Sequence, residues 1–123
     1  MSRRFTHISL ALVFFLSGEA LAIGLGDIRL ESALNEPLRA EIELLTATPE
    51  ELATLSVTLA PGDAFERYGI DRSYLLQDIV FTIKSDATGN YVELRSPGAI
   101  TEPFLTFLIE ATWSSGRLLR EYT

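Results

Sequence analysis

The sequence predicts a mainly β domain, built as an antiparallel sandwich. Apolar and polar residues alternate with period 2 over most of residues 23–123, which is typical of strands with one buried face. Turn-forming Gly, Pro, Asn, Asp and Ser residues interrupt this alternation at short intervals. Helical periodicity is confined to two short stretches, and no internal repeat is present. About seven short strands in about 100 residues fit two packed antiparallel sheets.

The first two strands have the clearest alternation. Ile28 and Leu30 alternate with charged neighbours, and Asn35–Pro37 predicts a turn. From residue 38 to residue 44 the even positions are apolar and the odd positions are charged. This pattern predicts a strand with one face in the core and the other in water.

Two short helices are expected between the next strands. Thr48–Glu51 has a capping hydroxyl, Pro at the first helical position and Glu at the third, which together indicate a helix start. Alternation resumes over residues 54–59. A second helix is predicted from Asp63, as its cap, to Tyr68, with Gly69 ending it.

The remaining chain predicts a hairpin and a final strand pair. Residues 79–84 and 92–95 alternate on either side of the Asp86–Asn90 loop, and Ser96, Pro97 and Gly98 predict a break. In 105–113 the odd positions form an apolar face that contains Phe107 and Trp113, whereas Phe104 belongs to the opposite face. Ser114, Ser115 and Gly116 then lead into a last strand over 117–123. The whole pattern predicts an immunoglobulin-like sandwich of about seven strands with short helical connectors.

Residues 1–22 have the organisation of a signal peptide. Arg3 and Arg4 precede the apolar stretch 8–16, and Ala20-Leu21-Ala22 supplies the small residues needed for cleavage between Ala22 and Ile23. The apolar stretch is short for a membrane-spanning helix. An uncleaved signal anchor and a buried N-terminal helix are the alternatives. We expect export through the Sec pathway. Because Arg3 and Arg4 are adjacent, export through the twin-arginine pathway is the alternative.

Composition excludes several classes of function. Two of the ten Lys and Arg residues and one of the 17 Asp and Glu residues lie in 1–22, so residues 23–123 carry eight cations, 16 carboxylates and a net charge of −8. This balance disfavours nucleic acid and anionic lipid as partners. Cys is absent, and His7 is the only His. Catalysis by a His-activated nucleophile is therefore excluded from residues 23–123, and so is a zinc, copper or haem site with its usual ligands.

Carboxylates and tyrosines leave three other chemistries open. A hydrolase could use the pairs Glu41 with Glu43 or Glu50 with Glu51, but solvated surface charges explain both pairs better. Calcium binding would use Asp63, Glu66 and Asp71, which lack the spacing of a calcium loop. A cell-wall carbohydrate module would need an exposed aromatic row, for which the candidates are Tyr74, Tyr91 and Tyr122.

Protein contact is the favoured chemistry, and its candidate residues lie late in the chain. Phe104 is the aromatic residue best placed for a second surface. Arg117, Arg120, Glu121 and Tyr122 lie on the last strand, where they could fix a partner strand in register. Edge protection and cross-strand ion pairing are the favoured explanation of the charged residues on this strand.

Several stretches in order and at fixed spacing resemble the N-terminal periplasmic domain of FimV-type pilus assembly proteins. They are Leu25–Leu30, Ser32–Leu38, Ala40–Leu45, Glu102–Leu105 and Trp113–Thr123. The resemblance implies a periplasmic location in a Gram-negative envelope and a role in type IV pilus assembly, twitching motility or polar organisation. Members of this family continue into a peptidoglycan-binding LysM module and a membrane anchor, neither of which can be transferred to this chain.

The sequence thus predicts a signal peptide over 1–22 and a FimV N-terminal-like β domain over 23–123. Because Thr123 lies within an alternating pattern, the domain is expected to be truncated in its last strand. We expect no catalytic residues, no cofactor and no metal. The expected partners are other envelope or pilus-assembly proteins, and no membrane insertion of residues 23–123 is expected.

Overall fold

A computed structural model describes residues 23–123, and within them seven strands form two antiparallel sheets. The predicted signal peptide and Ala22 lie outside the described residues. Ile23 is buried and begins the core cluster. The strands are β1 (Gly24–Leu30), β2 (Pro37–Leu45), β3 (Ser56–Leu59), β4 (Val80–Asp86), β5 (Gly89–Ala99), β6 (Phe107–Trp113) and β7 (Gly116–Tyr122); the helices are α1 (Pro49–Thr54), α2 (Gly62–Tyr68) and a 3₁₀ turn (Tyr74–Leu76).

The strands divide into a four-stranded sheet, β1-β2-β5-β4, and a three-stranded sheet, β3-β6-β7. This confirms the predicted mainly β domain of seven strands in two antiparallel sheets. Ala40 on β2 lies opposite Leu94 on β5, and Ile42 lies opposite Val92, all four in the core. The outer face of the same sheet carries charged residues, among them Glu93, whose carboxylate pairs with Arg95. The period-2 pattern therefore predicted both faces of this sheet.

Local capping explains where the helices begin and end. The capping box at Thr48 is confirmed, because Thr48 and Glu51 each accept a hydrogen bond from the other's backbone N–H. The prediction of Asp63 as the cap of α2 was wrong. The cap position is Pro61, and Asp63 lies in the first turn and pairs with Arg67. Gly69 ends α2 as predicted, in the left-handed conformation that favours glycine.

The predicted hairpin is confirmed, with β4 and β5 joined at a two-residue turn after Asp86. The Thr88 side chain and backbone both donate to the Asp86 carboxylate, which lowers the pKa of Asp86. The predicted break at Ser96–Gly98 was wrong, since β5 runs on to Ala99. The register against β2 shifts in this stretch, and such an irregularity accommodates Pro97, which has no N–H for the ladder.

Both faces of β6 are covered. Phe107, Ile109 and Ala111 are buried on the predicted core face, but Leu108 on the opposite face is also fully buried. Contacts between α2 and β6, together with the burial of Ala64 and Phe65, show that this helix adds a layer that alternation alone does not reveal.

At the far end of β6, Trp113 packs closely on Gly116. A Cβ at Gly116 would lie 2.6 Å from the Trp113 ring, so glycine permits this turn. The Ser114 N–H, in the same turn, donates to the Thr54 hydroxyl at the end of α1. The helices of residues 23–123 are too short or too polar to span a bilayer.

Candidate interaction surface

The predicted contact residues of the last strand lie on its two faces, one against β1 and the other on the outside of the domain. Arg120 points towards β1 and donates hydrogen bonds to the carbonyl oxygens of Leu25 and Gly26, the latter at 2.9 Å. Its guanidinium lies 3.5 Å from the carboxylate of Asp27 and 4.8 Å from the centre of the Tyr122 ring. We call this set of contacts the β1–β7 clasp.

A β-bulge makes the clasp possible. The register between β1 and β2 shifts between Leu25 and Ile28, which leaves an extra residue in β1. A Cβ at Gly26 would approach the Glu43 backbone and side chain closely. The bulge therefore needs a small residue, and its carbonyl groups bond to side chains of the other sheet.

Tyr122 completes the clasp from the buried side. Tyr122 is 4% exposed, its hydroxyl donates to the Gly26 carbonyl oxygen at 2.6 Å, and its ring packs beside Phe107. Burial raises the pKa of the Tyr122 hydroxyl to about 12. The suggestion that Tyr122 contacts a partner is therefore corrected, because its aromatic surface is already buried against the first strand.

Arg117 stays on the outer face of the three-stranded sheet. Its Nε lies 2.8 Å from the Glu110 carboxylate on β6, which is the cross-strand ion pairing favoured for this strand. β7 is an edge strand of its sheet. Of the four candidates on β7, only Glu121 is both exposed and without an ion pair to another described residue.

Glu121 and Phe104 line the same surface groove. The groove has a volume of about 590 Å³ and lies where the β3–β4 connection, the β5–β6 connection and the end of β7 meet. Phe104 is 79% exposed. We call it the Tyr68–Phe104 groove; its lining residues are Tyr68, Gly69, Ile70, Asp71, Ser73, Glu102, Phe104, Leu105, Thr106 and Glu121.

Tyr68 is a lining residue that the sequence did not single out. Helical spacing puts it on the same side of α2 as Ala64 and Phe65, both of which are buried. Nevertheless Tyr68 is 49% exposed, because it is the last helical residue and the chain turns away at Gly69. Its position directly before a helix-ending glycine is the one signal that could have marked it.

The groove lies at one end of the sandwich, where other large apolar residues are also exposed. Register places the end of β1, the start of β2, the start of β4 and the end of β5 together. Backbone hydrogen bonds between Asn35 or Glu36 and Ile100 join the β1–β2 loop to the β5–β6 connection. We call this region the apolar end; the exposed apolar residues located there are Leu30, Leu34, Tyr68, Tyr74 and Phe104. Val80 is also exposed, but it lies opposite Arg95 on the outer face of the four-stranded sheet, whereas Leu30 lies opposite Ala40 on the core face.

The alternative chemistries find less support in the geometry. Glu41 is paired with Arg29, and Glu51 is held in the capping box of α1. Within residues 23–123, no group of three or more acidic or histidine side chains is placed to hold a metal ion. The exposed aromatic row that carbohydrate binding would need does not form. Tyr122 is buried, and Tyr74 and Tyr91 lie on separate elements.

Comparison with known proteins identifies the family. Residues 23–123 match the family model described as FimV N-terminal domain, Ig-like domain. The chain belongs to the FimV N-terminal domain family. The resemblance carried by the five stretches named above is thereby confirmed, together with the immunoglobulin-like fold.

Two curated relatives are named motility hub protein FimV, from Pseudomonas aeruginosa strains PAO1 and UCBPP-PA14. Each is 44% identical to this FimV-type chain over 108 residues, which cover 87% of the chain and 12% of the relative. The chain therefore spans about an eighth of the length of these relatives. No solved structure matches it significantly.

Proposed function

We propose that residues 23–123 are a non-catalytic protein-interaction module of the periplasm, which supports type IV pilus assembly, twitching motility or polar organisation. The observation that carries the proposal is the groove at the apolar end, where the exposed rings of Tyr68 and Phe104 line one concave surface. Soluble domains rarely bring large exposed apolar side chains together on one surface unless that surface has a binding role. The name of the FimV relatives, motility hub protein, supports an assembly role.

The groove is the part of the apolar end best suited to a partner. It is concave, whereas the other exposed apolar residues lie outside it. Tyr68 and Phe104 offer large, stiff rings that gain contact area with little loss of side-chain entropy. We therefore place the contact with another envelope or pilus-assembly protein here.

A periplasmic location follows from the organisation of residues 1–22. Arg3, Arg4 and the apolar stretch would direct export, and cleavage after Ala22 would leave Ile23 as the first residue. The intact mass of the protein recovered from the periplasm tests this step. A mass that includes residues 1–22 would contradict cleavage.

The decisive test combines motility with a contact assay in the bacterium that encodes the chain. The double variant Tyr68→Ala/Phe104→Ala should strongly reduce the twitching zone and should lose cross-links formed from a photoreactive residue at Thr101, which is exposed and adjoins the groove residue Glu102. Leu45→Ala is the matched control, because Leu45 is an exposed apolar residue outside the apolar end. Normal twitching and unchanged cross-links in the double variant would overturn the proposal.

A further inference from the structure

The charges around the Tyr68–Phe104 groove are all of one sign. Asp71, Glu102 and Glu121 line it, and none of its ten lining residues is a cation. None of the three carboxylates forms an ion pair with another residue of the described part of the chain. The groove is thus an aromatic surface bordered by unneutralised negative charge.

Most cations of the domain are already engaged. Of the eight Lys and Arg side chains in residues 23–123, six form ion pairs. Arg72 adjoins the groove in sequence, but its guanidinium lies 5.6 Å from the centre of the Phe65 ring. The domain itself therefore leaves the carboxylates of the groove without a cationic partner.

The β1–β7 clasp shows which group such a surface accommodates. There a guanidinium lies over an aromatic ring, beside a carboxylate, and bonds to backbone carbonyl oxygens. The groove offers the ring and the carboxylate without the guanidinium. Rings and carboxylates both attract cations, and the attraction grows when the pair excludes water.

We propose that the groove binds a cationic segment of a partner protein, in which Arg or Lys side chains lie against Tyr68 and Phe104 and pair with Glu102 and Glu121. This inference rests on the proposed function, since it assigns a chemistry to the partner. An acidic segment would meet like charge and would be excluded, so the groove selects partners by charge as well as by apolar contact.

The experiment measures the binding of labelled peptides to residues 23–123, which contain the whole of the described core. One peptide alternates Arg with Leu, and a second has Glu in place of each Arg. We expect the Arg peptide to bind and the Glu peptide not to bind. Neutralisation in Glu102→Gln/Glu121→Gln should weaken binding about five- to tenfold, as two modest charge contacts allow.

The control variant Glu43→Gln/Glu50→Gln changes the net charge equally, at exposed carboxylates outside the groove. It should change the affinity by less than about twofold, because charges beyond a Debye length are screened. An equal loss in both variants would show attraction to net charge alone and would overturn the inference. Equal binding of the two peptides would also overturn it.

The two proposals fail in different ways. If Tyr68→Ala/Phe104→Ala abolishes twitching but the Arg peptide does not bind, the cationic partner is wrong and the interaction module stands. If the Arg peptide binds through the groove but the same double variant twitches normally, the role in motility is wrong.

Discussion

The β1–β7 clasp and the Tyr68–Phe104 groove use neighbouring residues of one strand for opposite purposes. Arg120 and Tyr122 point inwards and bond to the bulge of β1, while Glu121 between them points outwards and lines the groove. The alternation of β7 therefore separates the residues that hold the two sheets together from a residue that is free for a partner.

The two regions also differ in what removal of a side chain would cost. In the clasp, carbonyl oxygens of Leu25 and Gly26 depend on side chains almost 100 positions away. A buried polar group that loses its hydrogen-bond partner destabilises the folded state. In the groove, Phe104 is mostly exposed and its ring is already in water. Stability should therefore depend on the clasp, and binding on the groove.

The largest effect is expected for Arg120→Met, which keeps an aliphatic side chain but removes the donors to Leu25 and Gly26. We expect a loss of about 2 kcal/mol in the free energy of unfolding, because these are hydrogen bonds from a charged group. Urea denaturation measures the change. Arg117→Met on the same strand is the control.

Arg117 forms only an exposed ion pair with Glu110, and such pairs contribute roughly 0–1 kcal/mol. Its substitution should therefore cost clearly less than that of Arg120. If the two substitutions cost the same, the clasp does not tie β7 to β1 in solution and the proposed contrast between the regions is lost.

A smaller effect, with a distinctive pH dependence, is expected for Tyr122→Phe. Loss of the hydrogen bond to Gly26 should cost about 1 kcal/mol near neutral pH. The folded state raises the pKa of Tyr122 from 10.0 to about 12. The neutral phenol is therefore favoured on folding, and its contribution is complete below pH 10 and is lost as the pH rises towards 12.

Denaturation curves of wild type and Tyr122→Phe between pH 8 and 12, a range chosen around the pKa of a free and a buried tyrosine, would show the difference. The difference in the free energy of unfolding between wild type and Tyr122→Phe should shrink or reverse as the pH rises through this range. Tyr74→Phe, at an exposed tyrosine, should leave the alkaline profile of the wild type unchanged. A constant gap at all pH values would show that the Tyr122 hydroxyl is not buried.

Alternation predicted the sandwich and most strand faces, but it did not predict which of the β7 residues meet β1. The contact between Arg120 and Gly26 depends on two sheets packing across a bulge, and no local pattern marks that bulge. Period 2 places Arg120 and Tyr122 on one face of β7 and Glu121 on the other, but it does not show which of these faces meets β1. Phe104 was predicted as a second contact surface. Tyr68 was not, because no local pattern shows that the end of α2 lies beside the β5–β6 connection.

The smallest effect on stability is expected for Phe104→Ala. Because its ring is 79% exposed, removal should change the free energy of unfolding by no more than about 0.5 kcal/mol, as for other surface substitutions. The same variant should weaken binding of the Arg peptide, since the ring is the apolar wall of the groove. Arg120→Met should behave in the opposite way, with lower stability and unchanged binding by the molecules that remain folded. If Phe104→Ala unfolds as readily as Arg120→Met, the ring packs on the domain in solution. The groove would then be part of the core, and β7 would not separate residues that stabilise the domain from a residue that binds a partner.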